Sequence, residues 1–375
     1  MNIGKVLVTG GAGFIGSFVV DELIEKGMDV IVLDSLEEQV YFEQEKDSSG
    51  WPIYLNKKCT KILGHVGNLT KLRKALKDVT HIIHLAGIVG VGQSMVEVTR
   101  YTRGNVLETA ILLEELRKHS IQKLVVASSI SIYGEGAYLT PDQRLVYPKH
   151  RSIEQLQRHE WELYLNGELL TPTNTSENKP LNPESVYAVN KQDQEALCMV
   201  MGKSLGIPTI ALRFFNTYGP RQALSNPYTG VGAIFASRLL NNKPPLIFED
   251  GRARRSFVHV TDVAKAVVMA TLSNLDQEIL NVGTHTFVTI EEVARTLAQV
   301  MRKDIEPEIT NHFRVGDIRH CYADIQLINS KLGYKPTVTF ANGAEDLAEW
   351  VIRQTAPDVF SLNMSMLRNN NLVIG

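Results

Sequence analysis

Tyr187 and Lys191 stand four residues apart where apolar periodicity resumes after a long polar stretch, so on a helix they share one face. A phenol with an ordinary pKa of about 10 is a poor base near neutral pH. An ammonium one helical turn away favours the phenolate, which can then take a proton from a hydroxyl. The same Tyr-x-x-x-Lys spacing also occurs on plain exposed helices, so its meaning depends on context. Ser128, Ser129 and Ser131 follow the apolar run 123–127 and precede Tyr133-Gly134. A hydroxyl there can bond a substrate oxygen and relay its proton to Tyr187. Capping or a serine turn is the plainer role, and it suits Ser128 and Ser131 better than Ser129.

Arg213, Arg255 and Arg314 are dispersed in sequence, the last two beside Gly251 and Gly316. Guanidinium forks fit a diphosphate, with surface ion pairs as the alternative for each. His65, His84 and His259 show no metal-ligand spacing, and Cys59, Cys198 and Cys321 form no CxxC pair. Neither a metal site nor a disulfide framework is expected.

The context comes from residues 6–34. Val6-Leu-Val-Thr9 reads as a buried parallel strand, followed by Gly10, Gly11, Gly13 and Gly16. Phe14, Ile15, Phe18, Val19, Leu23 and Ile24 then recur at helical spacing, and a second strand over 29–33 ends at Asp34. Strand, glycine turn, helix and strand make a dinucleotide site, with the pyrophosphate at the helix N-terminus. A carboxylate at Asp34 suits the adenosine ribose hydroxyls and repels a 2′-phosphate, so NAD is expected rather than NADP.

The elements that would position these groups continue the alternation. Residues 35–58 read as a surface excursion, and 61–64, 81–85 and 123–127 as strands. Helices are expected over 70–77, 104–119 and 187–204, and a further strand over 209–216. This is an α/β fold, a Rossmann-type doubly wound parallel sheet with a smaller mixed α/β substrate domain. The expected division is 1–205 for the NAD-binding part and 206–345 mainly for substrate, some of whose strands return to the sheet; 346–375 is a tail. Residues 135–183, with five prolines, read as an insertion at the mouth of the site, with a helix near 152–163. Residues 218–230 read as a loop.

Composition narrows the function classes. With 44% hydrophobic and 21% charged residues the chain is globular, and a net charge of −2 gives no reason to expect nucleic acid. No apolar run approaches a membrane span, and a strand begins too early for a leader, so a cytoplasmic location is expected.

Together these motifs resemble the extended short-chain dehydrogenase/reductases, and within them the NAD-dependent nucleotide-sugar epimerase/dehydratases. The resemblance covers about 4–345 and includes Arg213-Phe-Phe-Asn216, Arg255-Ser-Phe-Val-His259 and Arg314-Val-Gly-Asp317. It implies Tyr187 as general base, Lys191 on the nicotinamide ribose and Ser129 on the sugar C4 hydroxyl, with Ser131 beside it. It also implies cofactor contacts at Gly10, Gly13, Phe14, Ile15, Gly16, Asp34, Leu85, Ala86, Gly87 and Asn105. His65 and Val66 would lie at the adenine, His65 standing where relatives usually carry Asp. Asn216, Arg255 and Arg314 would hold the nucleotide diphosphate. Family dehydratases carry Thr-Asp-Glu from the position of Ser129, whereas Ile130 and Ser131 stand here. The resemblance therefore implies a 4-epimerase and a homodimer, with a dTDP-6-deoxyhexose such as dTDP-L-rhamnose, or a UDP-hexose or UDP-N-acetylhexosamine, as substrate. Release of the keto sugar by a dehydrogenase, 3- or 5-epimerisation, and an NAD-sensing regulator remain as alternatives.

Overall fold

The computed structural model describes residues 4–41, 44–224, 230–314, 316–354, 370 and 373–374. Seven parallel strands form the main sheet: β1 (Lys5–Thr9), β2 (Val30–Asp34), β3 (Thr60–Leu63), β4 (Val79–His84), β5 (Lys123–Ser129), β6 (Thr209–Phe214) and β7 (Glu278–Val282). Their order is β7-β6-β5-β4-β1-β2-β3. β2, β5 and β6 are buried at every residue, as strands covered on both faces must be. The order of strand addition reverses between β1 and β4, and in such sheets the crevice at the strand carboxyl ends receives the ligand.

The main helices are α1 (Phe14–Glu25), α2 (Leu69–Ala75), α3 (Glu108–Leu116), α4 (Val186–Leu205), α5 (Val231–Leu240), α6 (Val260–Leu272), α7 (Ile290–Val300) and α8 (Phe340–Ile352). One core layer is built from α1, α6 and one sheet face, the other from α2, α3, α4 and the opposite face. A third cluster joins α5, α7 and α8 through Phe235, Leu239, Val293, Leu297, Leu347 and Val351. That cluster is the core of the smaller unit, while β6, β7 and α6 belong to the main sheet and its layers.

Several expected boundaries move. The helix expected over 104–119 is a π-turn at Arg103–Leu107 running into α3. The excursion over 35–58 is tucked in: Tyr41, Trp51 and Leu55 are buried, and the Tyr54 hydroxyl donates to the Ala12 carbonyl at 3.0 Å. α8 crosses the boundary expected at 345 because Leu347, Ala348 and Val351 are core residues. The tail from 355 on, apart from 370, 373 and 374, and residues 225–229 of the expected 218–230 loop lie outside the described residues.

The insertion forms a three-stranded sheet of Ala137–Leu139, Leu145–Val146 and Thr171–Thr173. Its helix covers only Ile153–Gln157, and the chain then turns at His159, whose φ is +57°. None of 135–183 lines the main cavity. The insertion instead braces the segment 317–320 from outside. Arg151 Nη2 donates to the Asp317 carbonyl at 3.1 Å, and Glu135 accepts the backbone N–H groups of Arg319 at 2.8 Å and His320 at 2.7 Å. Arg319 is fully buried and meets Glu162, Glu249 and Asp250.

Candidate active site

A cavity of about 740 Å³ opens along the strand carboxyl ends, between the sheet and the smaller unit. Its first wall is the glycine turn. Gly10 has φ +69°, and a Cβ there would sit 2.9 Å from the Ala86 backbone nitrogen. A Cβ on Gly16 would sit 2.2 Å from the Gly10 carbonyl oxygen, so only glycine lets α1 begin this close to the turn. Gly10, Gly13, Phe14, Ile15, Gly16, Asp34, His65, Val66, Leu85, Ala86 and Gly87 all line the cavity.

Asp34 closes one end. Its carboxylate accepts from the backbone N–H groups of Ala12 at 3.0 Å and Leu36 at 2.9 Å, and from the Tyr41 hydroxyl at 3.2 Å. Burial pushes its pKa up, and these bonds oppose the rise. His65 lines the same end with its side chain half-exposed, and its Nδ1 lies 2.9 Å from Glu108 Oε1.

Tyr187 and Lys191 lie on the first turns of α4, both buried. Ser185 caps that helix, accepting from the Ala188 N–H at 3.1 Å, and Ser94 accepts from the Tyr187 N–H at 3.0 Å. Burial pushes the Tyr187 phenol up, while a hydrogen bond with Ser129 pulls it back. The Lys191 ammonium donates to the Ala127 carbonyl at 2.5 Å and to Gln194 Oε1. Capping falls to Ser129, against expectation: its Oγ accepts the Ser131 N–H at 3.2 Å and the Ser131 hydroxyl at 2.9 Å. The short turn Ile130–Tyr133 needs its cap at the strand end, which is Ser129. Ser128 Oγ is buried with no protein partner and lines the cavity.

The opposite wall carries Asn216 and Arg314. Asn216 Oδ1 and Arg314 Nε are buried without hydrogen-bond partners, and the Arg314 guanidinium lies 4.6 Å from the Phe248 ring centroid.

The structure places two expected contacts off the cavity. Asn105 is fully buried and does not line the cavity; its Oδ1 accepts the Ile88 N–H at 2.7 Å and its Nδ2 donates to the Ile88 carbonyl at 3.1 Å. It therefore shapes the loop after Gly87. Arg255 also lies off the cavity, donating to the Arg319 carbonyl at 2.9 Å and to the Ile318 carbonyl, so it fixes the segment that follows Arg314. Arg213 is an interior ion pair with Glu195 at 2.7 Å. Sequence reasoning passed over Glu184, Ser185, Phe214 and Phe257, which also line the cavity, and Gln194 behind Lys191. Only the tertiary fold brings the first four to the cavity and sets Gln194 behind it.

Residues 6–152 and 163–283 match the family described as NAD dependent epimerase/dehydratase, and the gap contains the insertion's short helix. The chain belongs to that family. Among its relatives is the dTDP-L-rhamnose 4-epimerase of Burkholderia thailandensis, 33% identical over 93% of this chain and 95% of the relative. A putative UDP-glucose 4-epimerase of Methanocaldococcus jannaschii is also 33% identical, over 92% of this chain and 98% of its own length. The solved UDP-glucose 4-epimerase of Thermus thermophilus, in complex with NAD, superposes with a TM-score of 0.72 at 28% identity, covering 94% of this chain and 100% of that one. The UDP-N-acetylglucosamine 4-epimerase of Methanobrevibacter ruminantium superposes at 0.76 and 29% identity, over 95% of this chain and 100% of that one.

The site fits the family's cofactor, NAD. The glycine cradle would be filled by any Cβ, Asp34 meets the turn, and the partnerless Ser128 Oγ stands beside the Tyr187–Lys191 end. Among the described residues there is no group of three His, Cys, Asp or Glu able to hold a metal.

Proposed function

We propose that this chain is an NAD-dependent nucleotide-sugar 4-epimerase, an isomerase, acting on a dTDP-6-deoxyhexose such as dTDP-L-rhamnose. One observation carries the reading. Tyr187, whose phenol Ser129 draws down against burial, lies in one cavity with the glycine cradle and with two partnerless polar groups, Asn216 Oδ1 and Arg314 Nε.

In this reading Tyr187 takes the proton of the sugar C4 hydroxyl, directly or through Ser129. Bound NAD⁺ supplies the hydride acceptor at C4 and the donor that returns the hydride. Lys191 holds the nicotinamide ribose and, as a cation, favours the Tyr187 phenolate. Asp34 orients the adenosine ribose, with His65 and Val66 beside the adenine. Asn216 and Arg314 hold the nucleotide while the 4-keto sugar turns about its diphosphate linkage. Asn105 and Arg255 act through the backbone they pin. Ile130 and Ser131 place no carboxyl group after Ser129, which supports epimerisation over the elimination of water. A neutral deoxy sugar is supported by the relative in Burkholderia thailandensis and by the apolar cavity residues Val89, Ile130 and Phe215.

Among the described residues no helix is long and apolar enough to cross a membrane. We place the enzyme in the cytoplasm, a reading supported by three buried free thiols. We also read it as a homodimer through the exposed apolar side chains of α4 and of the turn before α3.

The test is incubation with dTDP-, UDP- and GDP-sugars, followed by NMR for a C4 epimer. Epimerisation of dTDP-L-rhamnose is expected, and Tyr187→Phe should cut turnover by about 10²–10⁴-fold with nucleotide binding kept. Turnover of UDP-sugars alone would move the substrate. Activity retained by Tyr187→Phe would overturn the mechanism, and net NADH accumulation would indicate a dehydrogenase.

A further inference from the structure

A buried polar chain stands behind Lys191 and has no part in the proton route above. Gln194 is fully buried on α4, one turn after Lys191. Its Oε1 accepts from the Lys191 ammonium. Its Nε2 lies 2.9 Å from Thr109 Oγ1, 3.0 Å from His84 Nε2 and 3.4 Å from the Ala86 carbonyl. The Thr109 hydroxyl donates to the Asn105 carbonyl at 2.6 Å, which leaves its oxygen free to accept. His84 Nδ1 lies 2.7 Å from Thr9 Oγ1, and that oxygen accepts the Ala86 N–H at 3.3 Å.

Donor and acceptor counting fixes the Gln194 amide. An ammonium only donates, so the amide oxygen must face Lys191 and the amide nitrogen must face His84 and Thr109. His84 Nε2 also lies 2.9 Å from Thr109 Oγ1, so the single ring proton can sit on Nε2 facing Thr109 or on Nδ1 facing Thr9. Burial, reinforced by the charge on Lys191, holds His84 down at about 3, so the ring stays neutral at physiological pH. The amide therefore has one orientation, locked from behind.

We propose that Gln194 is a positioning residue that keeps Lys191 in its ammonium form and aimed at the catalytic face, through an amide locked by Thr109 and the Ala86 carbonyl. The inference rests on the reading of Tyr187 and Lys191 as the acid–base pair. Burial works against the ammonium and brings Lys191 down to about 8, while Cys198 and Glu195 pull it up. The titratable groups facing it are Tyr187, Glu195 and Cys198 on its own helix and His84 on β4. Glu195 is committed to Arg213 and His84 is neutral, so the direct support comes from the acceptors Ala127 O and Gln194 Oε1. Two of three ammonium hydrogens are thus taken, and the third is left for the cavity.

The titration of Lys191 tests this in ligand-free protein by ¹⁵N-lysine NMR, with Lys191→Met assigning the signal. In Gln194→Met the Lys191 pKa should fall by about one pH unit. The basic limb of the kcat profile should move with it, a loss of about fivefold at pH 8 that approaches about tenfold above it. Gln194→Glu offers a stronger acceptor, so both should move to higher pH. A glutamine with a merely structural role would lower stability in both variants and leave the Lys191 signal where it was, and that result overturns the proposal. If Gln194→Met does not fold, the direction of the shift in the isosteric Gln194→Glu decides alone. The NMR readout needs no turnover, so a wild-type protein that epimerises nothing would sink the functional reading without touching this one.

Discussion

At the level of single residues, the site contains groups whose chemistry is unfinished within the protein. Tyr187 is held up by burial and pulled back by Ser129, so the hydroxyl of Ser129 contributes to the proton chemistry as well as to substrate contact. Ser129→Ala removes the lowering bond, so the Tyr187 pKa should rise and the acid limb of kcat should move to higher pH. A loss of about 10²-fold in kcat is expected at neutral pH. A pH profile checks it, and an acid limb that stays in place would leave Ser129 with substrate positioning alone. Asn216 differs because its Oδ1 bonds nothing in the protein. Asn216→Ala should leave the melting temperature of the ligand-free chain nearly unchanged while raising KM for the nucleotide sugar about tenfold, the worth of one hydrogen bond. Thermal melting with and without nucleotide separates the two effects. Ser129 stands out in the sequence as a hydroxyl at a strand end; its capping role was not legible there, since that depends on the turn that follows. Arg255 and Asn105 were misplaced for a related reason. Position in a motif says which loop a side chain belongs to, whereas only packing says whether it faces the ligand or the backbone.

At the level of elements, what could be read was what repeats. The alternation of strands and helices, the glycine turn and the helix that carries Tyr187 follow from periodicity and from the steric needs of a close turn. The insertion has no period, and its role emerges only from its contacts. It does not enter the cavity; it grips 317–320, the segment that continues from Arg314. The grip centres on a buried charge cluster. Burial pushes the Glu162 carboxyl up, but bonds from His320 and Arg319 outweigh it and hold it at about 2. Glu249, more deeply buried, stays above the usual carboxylate range despite Arg151. Arg319 is the hub, with no exposed surface and three carboxylates around it. Arg319→Met leaves Asp250 without its ion pair and Glu162 and Glu249 with one partner each, and should cost about 3–5 kcal/mol of folding stability. Urea denaturation measures it. A cost below about 1 kcal/mol, the range of exposed ion pairs, would mean that solvent reaches the cluster.

For the whole molecule, the apolar surface left over by the monomer decides the assembly. Val189 and Val200 are 43% and 67% exposed on α4, and Leu107 is 46% exposed on the neighbouring turn. Eleven residues of α-helix return to within about 20° of the same direction, so Val189 and Val200 share one stripe. The opposite side of α4 is committed to the sheet through Cys198 and to the site through Tyr187 and Lys191. An exposed stripe on a helix whose other face carries the catalytic pair suits a second copy of the chain, packed helix against helix. The chain should therefore sediment as a dimer. Val200→Glu puts a charge where the two copies would meet, and it should yield a monomer at micromolar concentration. Because Val200 stands three turns beyond Tyr187, that monomer should still bind NAD, with its affinity changed by less than about threefold. Analytical ultracentrifugation gives the mass and fluorescence titration the affinity. A wild-type monomer would remove the reason for the stripe. A variant monomer that has lost NAD would mean that the interface holds α4, and with it Tyr187 and Lys191, in place.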